Sequence, residues 1–212
     1  MNGYRDIVKH YEACFRKYGD TSKGVDWPNE QDALLRYQIM MDVIRKRNPS
    51  VLDFGCGSGR LYQYILDCRY SAKYIGVDAS PVFVEFCQKK YPGVPFYCLD
   101  ILSHEAKDFP HADYIIMNGV FTEKVNLSFE DMEAYFHELL KKVYEIANEG
   151  IAFNVMSKAV DWERDDLFHM PTDRLIDFMV KHLSRHFVIR NDYGLYEYTV
   201  YLYKKSTKEV GQ

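Results

Sequence analysis

The sequence predicts an α/β protein with a doubly wound, mostly parallel sheet, and three observations carry the prediction. Short β-rich runs alternate with helical runs between residues 50 and 155, which is typical of parallel strands with helices on both faces of the sheet. A glycine-rich turn, Gly55-Cys-Gly-Ser-Gly59, follows the first of these runs. Near the end of the chain, two β-rich runs flank a turn that contains Gly194, which predicts a hairpin and an antiparallel last strand.

Taken in order, the patterns predict seven strands within a single domain, 1–212. Two helices, 4–17 and 30–46, form an N-terminal helical cap over residues 1–47, and the α/β core spans 48–205. The helix that starts at Pro81 has Ser80 as its N-cap and proline at its first position. The predicted core strands are 50–54, 73–77, 95–99, 113–117 and 151–155, with helices at 59–68, 81–91, 103–108 and 129–147; a helix at 171–186 and strands at 187–190 and 196–204 complete the chain.

Composition argues against several classes of partner. The chain has 27 basic and 31 acidic residues, a net charge of −4, and no long run of one sign, so a nucleic-acid substrate is not expected. No apolar run approaches the roughly 20 residues of a membrane helix, and the first thirty residues do not resemble a signal peptide. Five scattered cysteines without metal-ligand spacing indicate no metal site and fit a cytoplasmic protein. The oligomeric state is left open.

The glycine turn and two later carboxylates indicate a nucleoside-containing cofactor. Ligands of doubly wound sheets bind beyond the carboxyl ends of the strands, where glycines let a ligand approach the backbone. Asp78 ends the second strand, 19 residues after Gly59, a position from which a carboxylate can accept both ribose hydroxyls. Asp100 ends the third strand, where an adenine amino group would lie. Alternatively, Asp78 leads into the next helix and Asp100 caps the helix at 103.

The glycine spacing distinguishes between two cofactors. Nicotinamide dinucleotides favour G-x-G-x-x-G, whereas this turn reads G-x-G-x-G and has Arg60 at the last glycine position. Asp53, two residues before Gly55, would repel a pyrophosphate but suits a ligand with a cationic end, such as S-adenosylmethionine. A nicotinamide-dependent oxidoreductase is therefore the less favoured alternative.

These motifs resemble those of the class I S-adenosylmethionine-dependent methyltransferases over about residues 30–205. VLDFGCGSG matches the first motif, IGVDAS the second, CLDI the third, and DYIIMNGVF the fourth strand and its loop. The resemblance implies the Rossmann-like methyltransferase fold, and S-adenosyl-L-homocysteine as product. Nucleobase amino-methyltransferases carry Asn/Asp-Pro-Pro-Tyr where this chain has Asn118-Gly-Val-Phe, which argues against a DNA base as acceptor. The resemblance further implies that Gly55, Cys56 and Gly57 contact the methionine moiety and that Asn118 borders the transferred methyl group. It also implies that Asp78 contacts the ribose, that Ala79 packs beside the adenosine, and that Asp100 and Ile101 contact the adenine.

Three segments are candidates for the acceptor side: residues 157–169, the turn 192–196, and the N-terminal part that contains Gly24–Trp27 and Arg36. His169 is the only histidine in them and is the predicted general base for a hydroxyl acceptor, with Tyr193 and Glu163 next in line. Arg36 is predicted to hold the cofactor carboxylate, or alternatively is a solvated helix charge. The predicted activity is O-methylation of a small-molecule acceptor, a sugar or another small metabolite, and the alternative is a cofactor-binding protein without turnover.

Overall fold

The structure, a computed structural model, describes residues 3–210 of the chain. Two short 3₁₀ turns, Ser22–Val25 and Ala106–Asp108, accompany the regular elements. The strands are β1 Ser50–Phe54, β2 Lys73–Asp78, β3 Phe96–Cys98, β4 Ala112–Phe121, β5 Ala147–Met156, β6 Phe187–Arg190 and β7 Glu197–Tyr203. The helices are α1 Tyr4–Tyr18, α2 Glu30–Met41, α3 Arg60–Asp67, α4 Pro81–Lys90, α5 Phe129–Ile146, α6 Thr172–His182 and α7 Thr207–Val210.

All seven strands form one sheet in the order β3-β2-β1-β4-β5-β7-β6. The first five strands pair in parallel, and β7 runs antiparallel to both of its neighbours, β5 and β6. The order reverses at β1, whose neighbours are β2 and β4. The predicted fold class, with its antiparallel last strand, is confirmed.

Two apolar layers cover the sheet. One face packs against α5 and α6, with Leu52, Ile115 and Phe136 in its core. The other face packs against α2, α3 and α4 around Val51 and Ile116. Because β1 alternates its side chains between these layers, neighbouring residues of the strand face opposite sides.

Several elements differ in length from the sequence prediction. Helix α2 ends at Met41, five residues early, and the N–H of Arg45 donates to Tyr114 Oη instead of continuing the helix. Strands β4 and β5 are twice as long as expected. Between Met117 and Phe121, β4 shifts register, with Gly119 in the left-handed region at φ 78°. The 103–108 helix is reduced to its 3₁₀ turn, and α6 ends at His182.

The N-terminal 47 residues, predicted to form a helical cap, contribute to two parts of the structure. Helix α1 lies over the carboxyl edge of the sheet, and four of its residues line the cavity there. Helix α2 belongs instead to a face of the sheet, where Tyr201 Oη donates to Ile39 O at 2.5 Å. Across residues 3–210, none of the helices combines the length and apolar character needed to cross a bilayer.

Candidate active site

The glycine turn is held close to the end of β2. The N–H groups of Gly55 and Cys56 both donate to Val77 O, at 2.8 and 3.1 Å. Gly57 lies at φ 50°, and a Cβ there would come within 3.3 Å of Val25 Cγ1. A side chain at Gly57 would therefore be strained in its backbone and crowded by the segment between α1 and α2.

A first cavity, here called the cofactor cavity, opens at the carboxyl ends of β1, β2 and β4. Its volume is about 130 Å³, below the ~300–1,000 Å³ of ordinary ligand pockets, because α1 packs across it. Seven residues predicted to bind the cofactor line this cavity: Gly55, Gly57, Asp78, Ala79, Asp100, Ile101 and Asn118.

Asp78 links the turn to the cavity. Its Oδ2 accepts the Gly57 N–H at 2.9 Å, and its Oδ1 accepts the Ser80 N–H at 2.8 Å. Burial raises the pKa of Asp78 to about 6 in spite of these bonds. Each carboxylate oxygen can accept more than one hydrogen bond, so Asp78 can hold the turn and still accept from a bound ligand.

Asp100 is occupied by protein donors. Its Oδ2 accepts from Tyr4 Oη at 2.6 Å and from Ser103 Oγ at 2.8 Å, and its Oδ1 accepts the Leu102 N–H at 3.0 Å. Burial alone would raise the pKa of Asp100, but these hydrogen bonds outweigh it and the pKa is lowered. Tyr4 stacks on Tyr135, with ring centroids 5.3 Å apart, so this end of the cavity has aromatic walls.

Asn118 presents an unsatisfied acceptor. Its Oδ1 is buried and has no hydrogen-bond partner among residues 3–210. Because a buried polar atom without a partner costs roughly 1–3 kcal/mol, the atom is suited to a donor on a ligand.

Two residues predicted to contact the cofactor face away from the cavity. Asp53 points to the opposite layer, where its Oδ2 accepts from Tyr74 Oη at 2.7 Å, and burial raises the pKa of Asp53 to about 7. The side chain of Cys56 is buried in that same layer. Phe54 lines the cofactor cavity, so strand alternation turns Asp53 away from it. Neither residue lines the cofactor cavity, and their contacts with the cofactor stay predictions.

A second, larger cavity adjoins the first and is here called the acceptor cavity. Its volume is about 460 Å³, within the usual range of ligand pockets. Tyr11, Val25 and Trp27 line both cavities, so these three side chains form the shared wall. The structure brings together here the three segments expected on the acceptor side: Asp26, Trp27, Asp32 and Arg36 from the first, Val160, Asp161, Trp162, Arg164, Leu167 and His169 from the second, and Gly194, Leu195 and Tyr196 from the third.

Arg36 lines the acceptor cavity and not the cofactor cavity. Its Nε donates to both oxygens of Glu197, at 3.0 and 2.9 Å, and its guanidinium lies 3.8 Å from the ring centroid of Trp27. Arg36 is 8% exposed, and its buried Nη1 has no partner among the described residues. It is therefore not a solvated helix charge, and it retains an unused donor.

His169 lines the acceptor cavity, and both of its ring nitrogens have protein partners. Its Nδ1 lies 2.6 Å from Ser157 O, and its Nε2 accepts the Arg164 N–H at 3.3 Å. A carbonyl oxygen can only accept, so Nδ1 carries the proton and the single lone pair on Nε2 is already used. His169 therefore connects two parts of the loop after β5, at Ser157 and at Arg164.

The two reserve candidates are also engaged elsewhere. Tyr193 Oη lies 2.9 Å from Thr199 Oγ1, and burial raises the pKa of Tyr193. Glu163 accepts from Lys158 Nζ at 2.6 and 2.7 Å and is exposed. Neither residue lines the acceptor cavity.

Sequence reasoning missed Glu123, a buried carboxylate in the acceptor cavity. Burial, followed by the like charges of Asp26 and Asp166, raises the pKa of Glu123 to about 7. The only indication of this residue in the sequence is its position five residues after Asn118. The loop after the fourth strand lies at the edge of the sheet where ligands bind.

Comparisons with known proteins indicate a methyltransferase. A family described as "Methyltransferase domain" matches residues 52–150. A Mycobacterium tuberculosis protein named as a methyltransferase is 29% identical over 173 residues, covering 78% of this chain and all of its own length.

Two solved structures share the fold. Magnesium protoporphyrin IX methyltransferase from Synechocystis, solved with bound S-adenosylmethionine, has a TM-score of 0.61 at 17% identity and covers 95% of this chain and 97% of its own. Human N-acetylserotonin methyltransferase, also solved with S-adenosylmethionine, has a TM-score of 0.60 at 14% identity and covers 96% of this chain and 65% of its own.

The match to a methyltransferase domain favours S-adenosylmethionine over the nicotinamide alternative. The amino-acid end of S-adenosylmethionine carries an ammonium donor, and the cofactor cavity offers Asn118 Oδ1 as an unsatisfied acceptor. Residues 52–150 match the methyltransferase-domain family, and the chain is similar to proteins named as methyltransferases and shares the fold of one solved with S-adenosylmethionine.

Proposed function

We propose that the protein methylates a hydroxyl group of a small molecule, a sugar or similar metabolite, bound in the acceptor cavity. The observation that carries this proposal is the wall of Tyr11, Val25 and Trp27 that the two cavities share. Methyl transfer from a sulfonium is an in-line displacement, so donor and acceptor have to meet across such a junction.

Residue roles on the cofactor side form part of the proposal. Asp78 accepts the ribose hydroxyls, while Asp100, Ile101 and Ala79 flank the adenine. Gly55 and Gly57 leave room for the methionine moiety, whose ammonium group Asn118 Oδ1 accepts. When bound, S-adenosylmethionine supplies an activated methyl group and needs no further activation by the protein.

Arg36 takes the carboxylate of the methionine moiety. Support comes from its unused Nη1 and from its stacking on Trp27, which lines both cavities. Glu197 accepts from Nε alone, so the hydrogen bonds to it leave the Nη1 donors of Arg36 unused.

The character of the acceptor cavity supports a small acceptor with a ring. Trp162 and Tyr196 are 72% and 66% exposed at its rim, where aromatic faces can cover a ring. Asp26, Asp32, Glu123 and Asp161 supply acceptors for hydroxyl groups.

The test is methyl transfer from S-adenosylmethionine with a CD₃ methyl group to a fraction of small metabolites. Mass spectrometry should find a labelled product, and NMR of that product should place the CD₃ group on oxygen. Gly57→Val serves as the control that cannot bind the cofactor. A CD₃ group on nitrogen or carbon would overturn the O-methylation, and binding of S-adenosylhomocysteine without any turnover would favour a non-catalytic binding protein.

A further inference from the structure

No contact within the described residues gives the carboxylate group of Glu123 a structural role. It lies two residues beyond β4, is 8% exposed and lines the acceptor cavity. Among residues 3–210, no group donates a hydrogen bond to its carboxylate or forms an ion pair with it. Because Glu123 lines the cavity and no protein donor occupies its oxygens, the carboxylate is available to a ligand there.

The backbone holds Glu123 in a fixed place. Glu123 and Leu167 form an antiparallel bridge. On either side of it, the Phe168 N–H donates to Thr122 O and the Lys124 N–H donates to Asp166 O, both at 2.8 Å. The loop after β4 is thereby paired with the loop after β5, which gives the carboxylate a defined direction.

Glu123 also lies next to the junction of the two cavities. Thr122 Oγ1 donates to Gly119 O at 3.1 Å, and Tyr11 Oη donates to the same oxygen at 3.1 Å. Gly119 lines the cofactor cavity and Tyr11 lines both. Tyr11 is itself unsuited to accept a proton, because burial raises its pKa and its hydroxyl is already a donor.

We propose that Glu123 is the general base of the methyl transfer, which rests on the proposed function of the protein. The carboxylate takes the proton of the acceptor hydroxyl while the hydroxyl oxygen forms a bond to the methyl carbon. The bond from that carbon to sulfur breaks, and sulfur keeps the electron pair as a neutral thioether. Glu123 then returns its proton to solvent, so that the carboxylate is regenerated and one sulfonium charge is replaced by one released proton for each ether formed.

The charges around Glu123 tune it for this role near neutral pH. Burial and the like charges raise its pKa to about 7, so the carboxylate form is present above that pH. The groups that act on it come from every neighbouring element: His10, Tyr11 and Cys14 from α1, Asp26 from the segment after α1, and Arg164 and Asp166 from the loop after β5.

The test uses the labelled-methyl assay with the full chain. Glu123→Gln should lower turnover by ~10²–10⁴-fold, the usual range for a general base, and calorimetry should give an unchanged affinity for S-adenosylhomocysteine. The wild-type rate should rise with pH through an apparent pKa near 7, and the variant should lack that rise. Formate should partly restore turnover of Glu123→Ala. Glu163→Gln is the matched control and should keep wild-type turnover.

The outcomes separate this proposal from the proposed function. If the wild type transfers methyl groups to oxygen and Glu123→Gln stays within about threefold of it, Glu123 is not the base and the proposed function stands. If the wild type transfers no methyl group to any hydroxyl, the proposed function fails and the role of Glu123 fails with it. Loss of S-adenosylhomocysteine binding in Glu123→Gln would assign the residue to cofactor binding instead.

Discussion

Asp78→Ala should weaken the binding of S-adenosylhomocysteine by about 10- to 150-fold. Hydrogen bonds to a charged group contribute roughly 1.5–3 kcal/mol, and every 1.4 kcal/mol is a factor of about ten in affinity. The variant also removes the acceptors of the Gly57 and Ser80 N–H groups, although water in the opened cavity can solvate both.

Calorimetry at pH 8 measures this loss, with Asp67→Ala as the control because Asp67 is an exposed carboxylate on α3. A 2′-deoxy analogue of S-adenosylhomocysteine sharpens the test. The wild type should discriminate against the analogue, whereas Asp78→Ala should bind both ligands alike. An Asp78→Ala protein that still discriminates against the 2′-deoxy ligand would refute the ribose assignment.

The same reasoning gives a pH dependence with a definite sign. The pKa of Asp78 is raised to about 6, and only the ionised form accepts hydrogen bonds with both oxygens. Affinity for S-adenosylhomocysteine should therefore be full above pH 6 and fall as the pH decreases through that value.

Three further predictions concern the same edge of the sheet. Gly57→Val should abolish S-adenosylhomocysteine binding but keep the circular dichroism of the fold. The new side chain would contact Val25 and would strain a backbone that lies at φ 50°. Normal binding would show that the turn is structural only. Arg36→Gln should weaken S-adenosylhomocysteine binding by about tenfold or more and leave methylthioadenosine, which lacks the carboxylate, unaffected; equal losses for both ligands would remove Arg36 from the carboxylate. Between pH 5 and pH 8, Asp53 should lower the free energy of unfolding of the wild type by about 2 kcal/mol, as measured by denaturant titration. Asp53→Asn should lack this decrease. The sign follows from the folded-state pKa of about 7, above the ordinary 3.8, since stability from the neutral carboxyl is lost as the pH rises; identical pH profiles would contradict it.

The cofactor edge could be predicted from sequence because each of its parts is local. Gly57 belongs to a turn that follows a strand, and Asp78 and Asp100 end the next two strands. The parallel sheet then aligns all three at one edge. For Asp53, the charge favours contact with a cationic ligand, but strand alternation turns its side chain to the opposite face of the sheet from Phe54, which lines the cavity.

The acceptor side could be predicted only as a set of segments. His169 has a suitable chemical type, but its use depends on Ser157 O and the Arg164 N–H, and nothing in the sequence states where those groups lie. Glu123 depends likewise on the pairing of its loop with residues 166–168. A residue can act as a general base only through a lone pair that accepts no other hydrogen bond. Only the folded structure shows which lone pairs are already used.

A buried hydrogen-bonded chain couples the two sides of the site. Arg36 Nε donates to Glu197, Asn154 Nδ2 donates to Glu197 Oε1 at 3.0 Å, and Asn154 Oδ1 accepts the Gly119 N–H at 2.8 Å. A Cβ on Gly119 would come within 2.7 Å of Trp27, so the same glycine also sets the position of the shared wall. Because a buried ion pair rarely stabilises a fold more than apolar packing would, its role here is better explained by position: it holds one end of the guanidinium against Glu197 and leaves the other end for a ligand.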